Sequence, residues 1–143
     1  MKQLKTHQGF TFIEMLVVVT IMAVLTAVGA SSFKVANQKA RDGRRLGDLQ
    51  QIRAALELYR TDQNVYPTTA QFPAVGGNLT FGTTTYMSDR PGDPSSGYFY
   101  SYTSATGATY TLCAALELVT TLQSNCGNCG TDKTCSYKVT NPL

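Results

Sequence analysis

Four cysteines, one histidine and a single carboxylate inside an apolar stretch are the residues of this 143-residue chain whose types and spacing could do chemistry. The cysteines are Cys113, Cys126, Cys129 and Cys135, all in the last third of the sequence. An even number of them in a segment rich in Gly, Asn and Thr points to disulfides made in an oxidising compartment. A zinc site would need four thiolates converging tetrahedrally, and intervals of 12, 2 and 5 intervening residues do not repeat the paired CxxC knuckles of a zinc ribbon. A redox-active Cys126-Gly127-Asn128-Cys129 would be expected to open a helix in a βαβ unit, and no such context surrounds it. Two structural bridges are therefore expected. Three pairings are possible, and Cys113–Cys135 between two strands, with Cys126–Cys129 closing a tight loop, is the favoured one. The lone histidine, His7, lies near the N-terminus, so no His/Asp/Glu catalytic set can be assembled. The chain is not read as an enzyme, and neither a cofactor nor a metal site is expected.

The carboxylate is Glu14. From Phe10 to Phe33 the chain reads FTFIEMLVVVTIMAVLTAVGASSF, with Glu14 its only charge. As a helix this stretch reaches roughly 36 Å, enough for a bilayer core of about 30 Å. Lys2 and Lys5 precede it without an acidic residue, which predicts a cytoplasmic N-terminus and places the residues after the span on the outer side. A cleaved secretory signal peptide explains this less well, because its apolar run is roughly 7–15 residues and does not begin with an acid. A carboxylate in an apolar span costs on the order of 2.5–3.5 kcal/mol on insertion scales, so Glu14 needs a cationic partner. None lies within the span. A cut after Gly9 would create one, the amine of Phe10, and that amine could meet Glu14 of a neighbouring, axially staggered copy. Self-association follows from the charge problem.

Gly9-Phe10-Thr11-Phe12-Ile13-Glu14 resembles the signal of type IV prepilins and type II secretion pseudopilins. The resemblance implies cleavage after Gly9 by a prepilin peptidase, methylation of the new N-terminal Phe10, and an assembly role for Phe10 and Glu14. Further on, Leu56–Arg60, Tyr66–Gln71 and Arg90–Pro94 with Tyr98–Tyr102 are similar to segments of the major pseudopilins. Those proteins carry a calcium site near the C-terminus. Asn125, Asn128 and Asp132 offer oxygens there, but the acidic motif of the family is not recognisable, and calcium is not expected. Nor does the chain have the helix-breaking proline that the family often carries about 20 residues after the cut; Ala30-Ser31-Ser32 stands there instead.

The elements that must position these groups follow from periodicity. Leu46, Leu49, Ile52, Leu56 and Tyr59 recur at three and four, one face of an amphipathic helix. One helix of about 50 residues is expected from Phe10 to near Thr61, roughly 75 Å long. Lys39, Arg41, Arg44 and Arg45 on it are read as a solvated face interspersed with Asp42 and Asp48. Residues 62–96 read as a long loop. Strands are expected at Tyr98–Tyr102, Tyr110–Leu116 and Cys135–Val139, with Gly107 turning between the first two.

The expected fold is therefore α+β, a long N-terminal helix packed on a small antiparallel sheet. The organisation is a leader over residues 1–9, a membrane and filament-core half-helix over 10–33, and a head over 34–143. The head divides into an amphipathic half-helix (34–61), the loop (62–96) and a β and cysteine-rich region (97–143). The function expected is that of a structural subunit of a type IV pilus-like filament: a homo-oligomer, inserted singly in the cytoplasmic membrane, then processed and polymerised by membrane assembly machinery to a place outside the cell or in the periplasm. The alternatives are a major pseudopilin of type II secretion, or a DNA-uptake or adhesion minor pilin. A net charge of +3 does not itself call for nucleic acid.

Overall fold

The computed structural model describes residues 9–119 and 121–142, Ser31 by its backbone alone. Lys2, Lys5, His7 and most of the expected leader lie outside the described residues. The chain divides into two units, one ending at Asn37 and the other beginning at Gln38.

A single helix, α1, runs Phe12–Gln63, 52 residues. Its start lies two residues later than the apolar pattern suggests, because Thr11 acts as its cap. Thr11 carbonyl oxygen accepts from Glu14 N at 3.1 Å, and Thr11 Oγ1 from the same N–H at 3.4 Å. Thr11-x-x-Glu14 has the residue pattern of a capping box, and an acid in the first turn also suits the helix dipole. The helix ends at Asn64, whose φ of 60° places it in the left-handed region and whose N–H returns to Arg60 O at 2.7 Å.

In the first unit the large apolar side chains between Phe12 and Phe33 are exposed: Phe12 by 85%, Val24 by 64% and Phe33 by 68%. The second unit has a true core. Leu49, Ile52, Ala55, Leu56 and Tyr59 from α1 are buried with Tyr100, Tyr102, Tyr110, Leu112 and Val139. Leu46, expected on the same stripe, is only half-buried.

The main sheet has three antiparallel strands in the order β3-β4-β5. They are β3 (Ser101–Thr103), β4 (Thr111–Ala114) and β5 (Tyr137–Thr140). Tyr102 pairs with Leu112, and Leu112 with Val139, so the buried residues of three strands align in one row against the helix. The strands are shorter than expected. Tyr98 makes only an isolated bridge to Gly130, and Cys135 precedes β5. Gly107, at φ 78°, sits so close to Tyr66 that an added Cβ would stand 2.7 Å from Tyr66 O, and Tyr66 N donates to Gly107 O.

The reading of 62–96 as loop is corrected by a hairpin, β1 (Leu79–Phe81) with β2 (Thr84–Met87). Leu79 and Met87 are buried, while Phe81 and Tyr86 stand edge-on to Tyr59 at 6.1 and 5.1 Å between centroids. Aromatic contact with the helix supplies what two short strands lack alone.

Candidate processing and assembly site

Gly9, Phe10 and Thr11 precede α1 without regular structure, and Gly9 and Phe10 are exposed, Phe10 by 75%. A peptide bond in that condition, between a residue without a side chain and an exposed aromatic, is accessible to a peptidase. Glu14 follows within the first turn, also exposed, and among the described residues it has no ion-pair partner. Among the described hydroxyls farther along, Thr20, Thr26 and Ser32 donate to Val17, Met22 and Val28 carbonyls of the same helix at 2.8, 2.8 and 3.3 Å. Their polar atoms are thereby satisfied without outside help, as an apolar surrounding requires. By length and composition α1 is apolar enough over this part to cross a membrane. Glu14 is thus the one charge in a surface otherwise suited to lipid or to other apolar helices.

The head holds a second set of charges, and here the solvated-face reading of the basic cluster is corrected. Arg45 is fully buried. Its guanidinium donates to both oxygens of Asp93 at 2.7 and 2.9 Å, to Asp42 at 2.8 Å, to Glu117 at 2.9 Å and to Ser95 Oγ at 3.1 Å. Those five bonds match its five N–H groups. Its cationic carbon also lies 4.7 Å from the Tyr98 ring centroid. Arg41 adds a forked pair to Glu117, 2.6 Å on each arm. Asp42 in turn accepts the N–H groups of Glu117 and Leu118 at 2.9 and 3.1 Å. Burial opposes the charge on Arg45, but the bonds to Asp93, Glu117 and Asp42 outweigh it and its pKa is raised. The Glu117 carboxyl is held down to about 2, chiefly by its bonds with Arg41 and then, against burial, by Arg45. Lys39 and Arg44 remain exposed, the latter 4.0 Å from Asp48.

The sequence carried a signal for this network. The buried stripe Leu49, Ile52, Leu56, Tyr59 extends backwards at the same spacing to Arg45 and Asp42, so these two occupy core positions.

All four cysteines are bridged, but as Cys113–Cys126 and Cys129–Cys135. The expected pairing Cys113–Cys135 with Cys126–Cys129 is thus overturned. Turns with left-handed residues at Asn125, Gly127 and Asp132 fold the 124–134 loop back on itself. They bring Cys126 onto β4 and Cys129 toward the start of β5, with Cα–Cα distances of 5.8 and 5.1 Å that a disulfide can span. The four sulfurs and Ala115 form a small core of their own, covered by Tyr98. Cys113, Cys126 and Cys135 lie within 4.8 Å of one another by sulfur, but as bridged sulfurs they offer no thiolate to a metal. Asn125, Asn128 and Asp132 are exposed on the same loop.

Comparison with known proteins finds similarity at the N-terminus and over about half of the chain. The family described as the prokaryotic N-terminal methylation motif matches residues 4–30. The chain is 34% identical over 71 residues to the type II secretion system core protein G of Vibrio cholerae serotype O1, covering 50% of this chain and 49% of that protein. For the protein of the same name in Pseudomonas aeruginosa, identity is 36% over 69 residues, or 48% and 49% of the two chains. For that of Escherichia coli K12 it is 31% over 71 residues, or 50% and 49%. The chain spans about half the length of the curated relatives it matches. No solved structure matches.

Proposed function

We propose, for a chain that belongs to the type IV pilin and pseudopilin family, that it is a filament-forming subunit of the pseudopilus kind that serves type II secretion. Two kinds of filament share the N-terminal device. The relatives bear the name of a secretion core protein, which supports the pseudopilus over the surface pilus. In this reading Gly9 and Phe10 flank the bond cut by a prepilin peptidase, and Phe10 becomes the methylated N-terminus. The apolar half of α1 holds the precursor in the cytoplasmic membrane and later lines the filament. Glu14 pairs with the Phe10 amine of the next subunit and sets the axial register, because any other stagger strands a carboxylate among apolar side chains. The head lies on the periplasmic side, where its bridges form. The role is structural, in keeping with the family.

The observation that carries this reading is Glu14, which among the described residues has no ion-pair partner, at the start of an otherwise apolar, exposed helical surface. Nucleic-acid capture is the weaker reading, since Arg45 is buried against Glu117, Asp93 and Asp42 and the partly exposed Arg41 is paired with Glu117, which leaves Lys39 and Arg44 as the exposed members of the basic cluster. The test is mass spectrometry of assembled subunits. The expected N-terminus is methylated Phe10, and Gly9→Val should leave full-length precursor in the membrane. Assembled subunits that still carry Met1 would sink the proposal. Deletion of the gene should abolish type II secretion, and a strain that secretes normally but lacks surface fibres would move the reading to a pilus.

A further inference from the structure

The two disulfides are not independent. Cys135 belongs to one bridge, yet its Sγ lies within 4.8 Å of both sulfurs of the other, Cys113 and Cys126. It also rests 3.4 Å from the Cys126 carbonyl oxygen. Cys129 is not a member of that three-sulfur set. The backbone holds two of the three in fixed relation. Cys113 sits in β4 opposite Lys138 of β5, and Ser136 N donates to Ala114 O at 3.0 Å, which ties the residue after Cys135 to the residue after Cys113. Cys126 is instead carried by the 124–134 loop, with left-handed turns at Asn125 and Gly127. A cleft is bordered by Tyr98, Ala115, Thr134 and Ser136, the last two flanking Cys135 in the chain, while Cys135 itself is buried.

We propose that Cys113, Cys126 and Cys135 form an internal thiol–disulfide exchange site, in which Cys135, once freed from Cys129, attacks Cys113 and expels Cys126. The step is balanced within the chain. A bond forms between Cys135 Sγ and Cys113 Sγ, the Cys113–Cys126 bond breaks, and its electron pair leaves on Cys126 as thiolate. No net oxidation or reduction occurs. The attack is aimed by proximity, and the departing sulfur is the one on the loop, which can move away while the sheet stays in place. Starting from a head whose Cys129–Cys135 bridge has been opened by a small dithiol, the product carries Cys113–Cys135 and two thiols at Cys126 and Cys129. The site thereby delivers the reduced state of the head to its Cys126-Gly127-Asn128-Cys129 segment, a dithiol with the Cys-X-X-Cys spacing found in thiol oxidoreductases themselves.

The test uses the full chain in detergent micelles. In Cys129→Ser, Cys135 is left as a thiol beside an intact Cys113–Cys126 bridge. The protein is held at mildly alkaline pH, quenched in acid, unfolded, alkylated and mapped by mass spectrometry. Label on Cys126 together with a Cys113–Cys135 bridge is expected, and label confined to Cys135 at every pH overturns the proposal. The paired variant Cys135→Ser leaves Cys129 as the thiol, outside the sulfur set, and its label should stay on Cys129. Equal spreading in both variants would mean scrambling through unfolded chains and would also overturn it. Should Cys129→Ser not fold, limited reduction of the unaltered chain with dithiol gives the same reading. A surviving Cys113–Cys135 bridge supports exchange, and survival of Cys113–Cys126 or Cys129–Cys135 alone refutes it.

Discussion

Replacing Arg45 by Met removes the one guanidinium that three carboxylates share and keeps most of the side-chain volume. Asp93, whose side chain is 1% exposed, loses its ion-pair partner, while Asp42 keeps the N–H groups of Glu117 and Leu118 and Glu117 keeps Arg41. Breaking a buried pair by removing one member costs about 3–5 kcal/mol, because a charge is left buried and uncompensated. For a domain of about a hundred residues, an unfolding entropy near 0.2 kcal/mol/K turns that loss into a fall of about 14–24 °C in Tm. The stability should be read on the full chain in micelles, by the urea concentration at which a brief protease pulse begins to digest the head. Arg44→Ala is the internal control. Arg44 is largely exposed and 4.0 Å from Asp48, so its loss should lie within about 0.5 kcal/mol of zero. Arg45→Met combined with Asp93→Asn should recover part of the loss, since the stranded charge is then gone. A cost below about 1 kcal/mol for Arg45→Met, the value of an exposed pair, would refute the claim that this cation holds α1 to the 93–95 and 117–118 segments.

Acid should weaken the same junction. Because the Glu117 carboxyl is held down to about 2 in the folded head, its contribution is present above its ordinary value of about 4.5 and is lost as the pH falls from there toward about 2. Urea midpoints measured across that window should decline in the unaltered chain and decline less in Glu117→Gln. Glu14→Ala should insert in the membrane and be processed normally, since it removes a charge from an apolar helix and leaves Gly9 intact, but it should fail to polymerise or lose register. Normal filament yield in a strain with no unaltered copy would remove Glu14 from assembly. Leu56→Ala, at a fully buried position of the head core, should cost about 2–5 kcal/mol in the same urea assay and leave processing at Gly9 untouched.

What the sequence disclosed and what it withheld divide along the range of the interactions. The helix was legible because its causes are local: good helix formers, an apolar run, then a stripe at Leu49, Ile52, Leu56 and Tyr59. The three strands of the main sheet were legible from β-favouring residues around Gly107, although their ends shifted by one to three residues. The hairpin at 79–87 was missed because Leu-Thr-Phe-Gly-Thr-Thr-Thr-Tyr-Met is short and four threonines and a glycine interrupt its apolar residues. What makes it a hairpin is Tyr59, a partner in the helix. The periodic stripe marks Arg45 as a core position, but its partners were hidden for the same reason as the hairpin, since Asp93 and Glu117 lie 48 and 72 residues away. The disulfide pairing depended on turns at Asn125, Gly127 and Asp132, whose left-handed backbone no spacing of cysteines reveals. The N-terminal pattern was legible because a glycine, an aromatic, one carboxylate and an apolar surface stand next to one another in the chain.

The tyrosines of the head have a consequence at the other end of the pH scale. Tyr100 donates to Asp48 at 2.7 Å, Tyr102 to the Pro67 carbonyl at 2.6 Å, and Tyr66 and Tyr110 to Glu57 at 3.0 and 3.3 Å. Burial first, then the neighbouring carboxylates for Tyr100 and Tyr110, pushes the ionisation of these phenols above its ordinary value of 10; Tyr66 is raised by burial and Glu57 against its bond from Arg60, and Tyr59 is raised by burial as well. A phenol that ionises more readily in the unfolded chain than in the folded one supports the fold below pH 10 and withdraws that support as the pH rises beyond it. Five rings do so together from one core. Alkali therefore acts on this head as a denaturant with a threshold, and phenolate absorbance should appear in a cooperative step as the core opens.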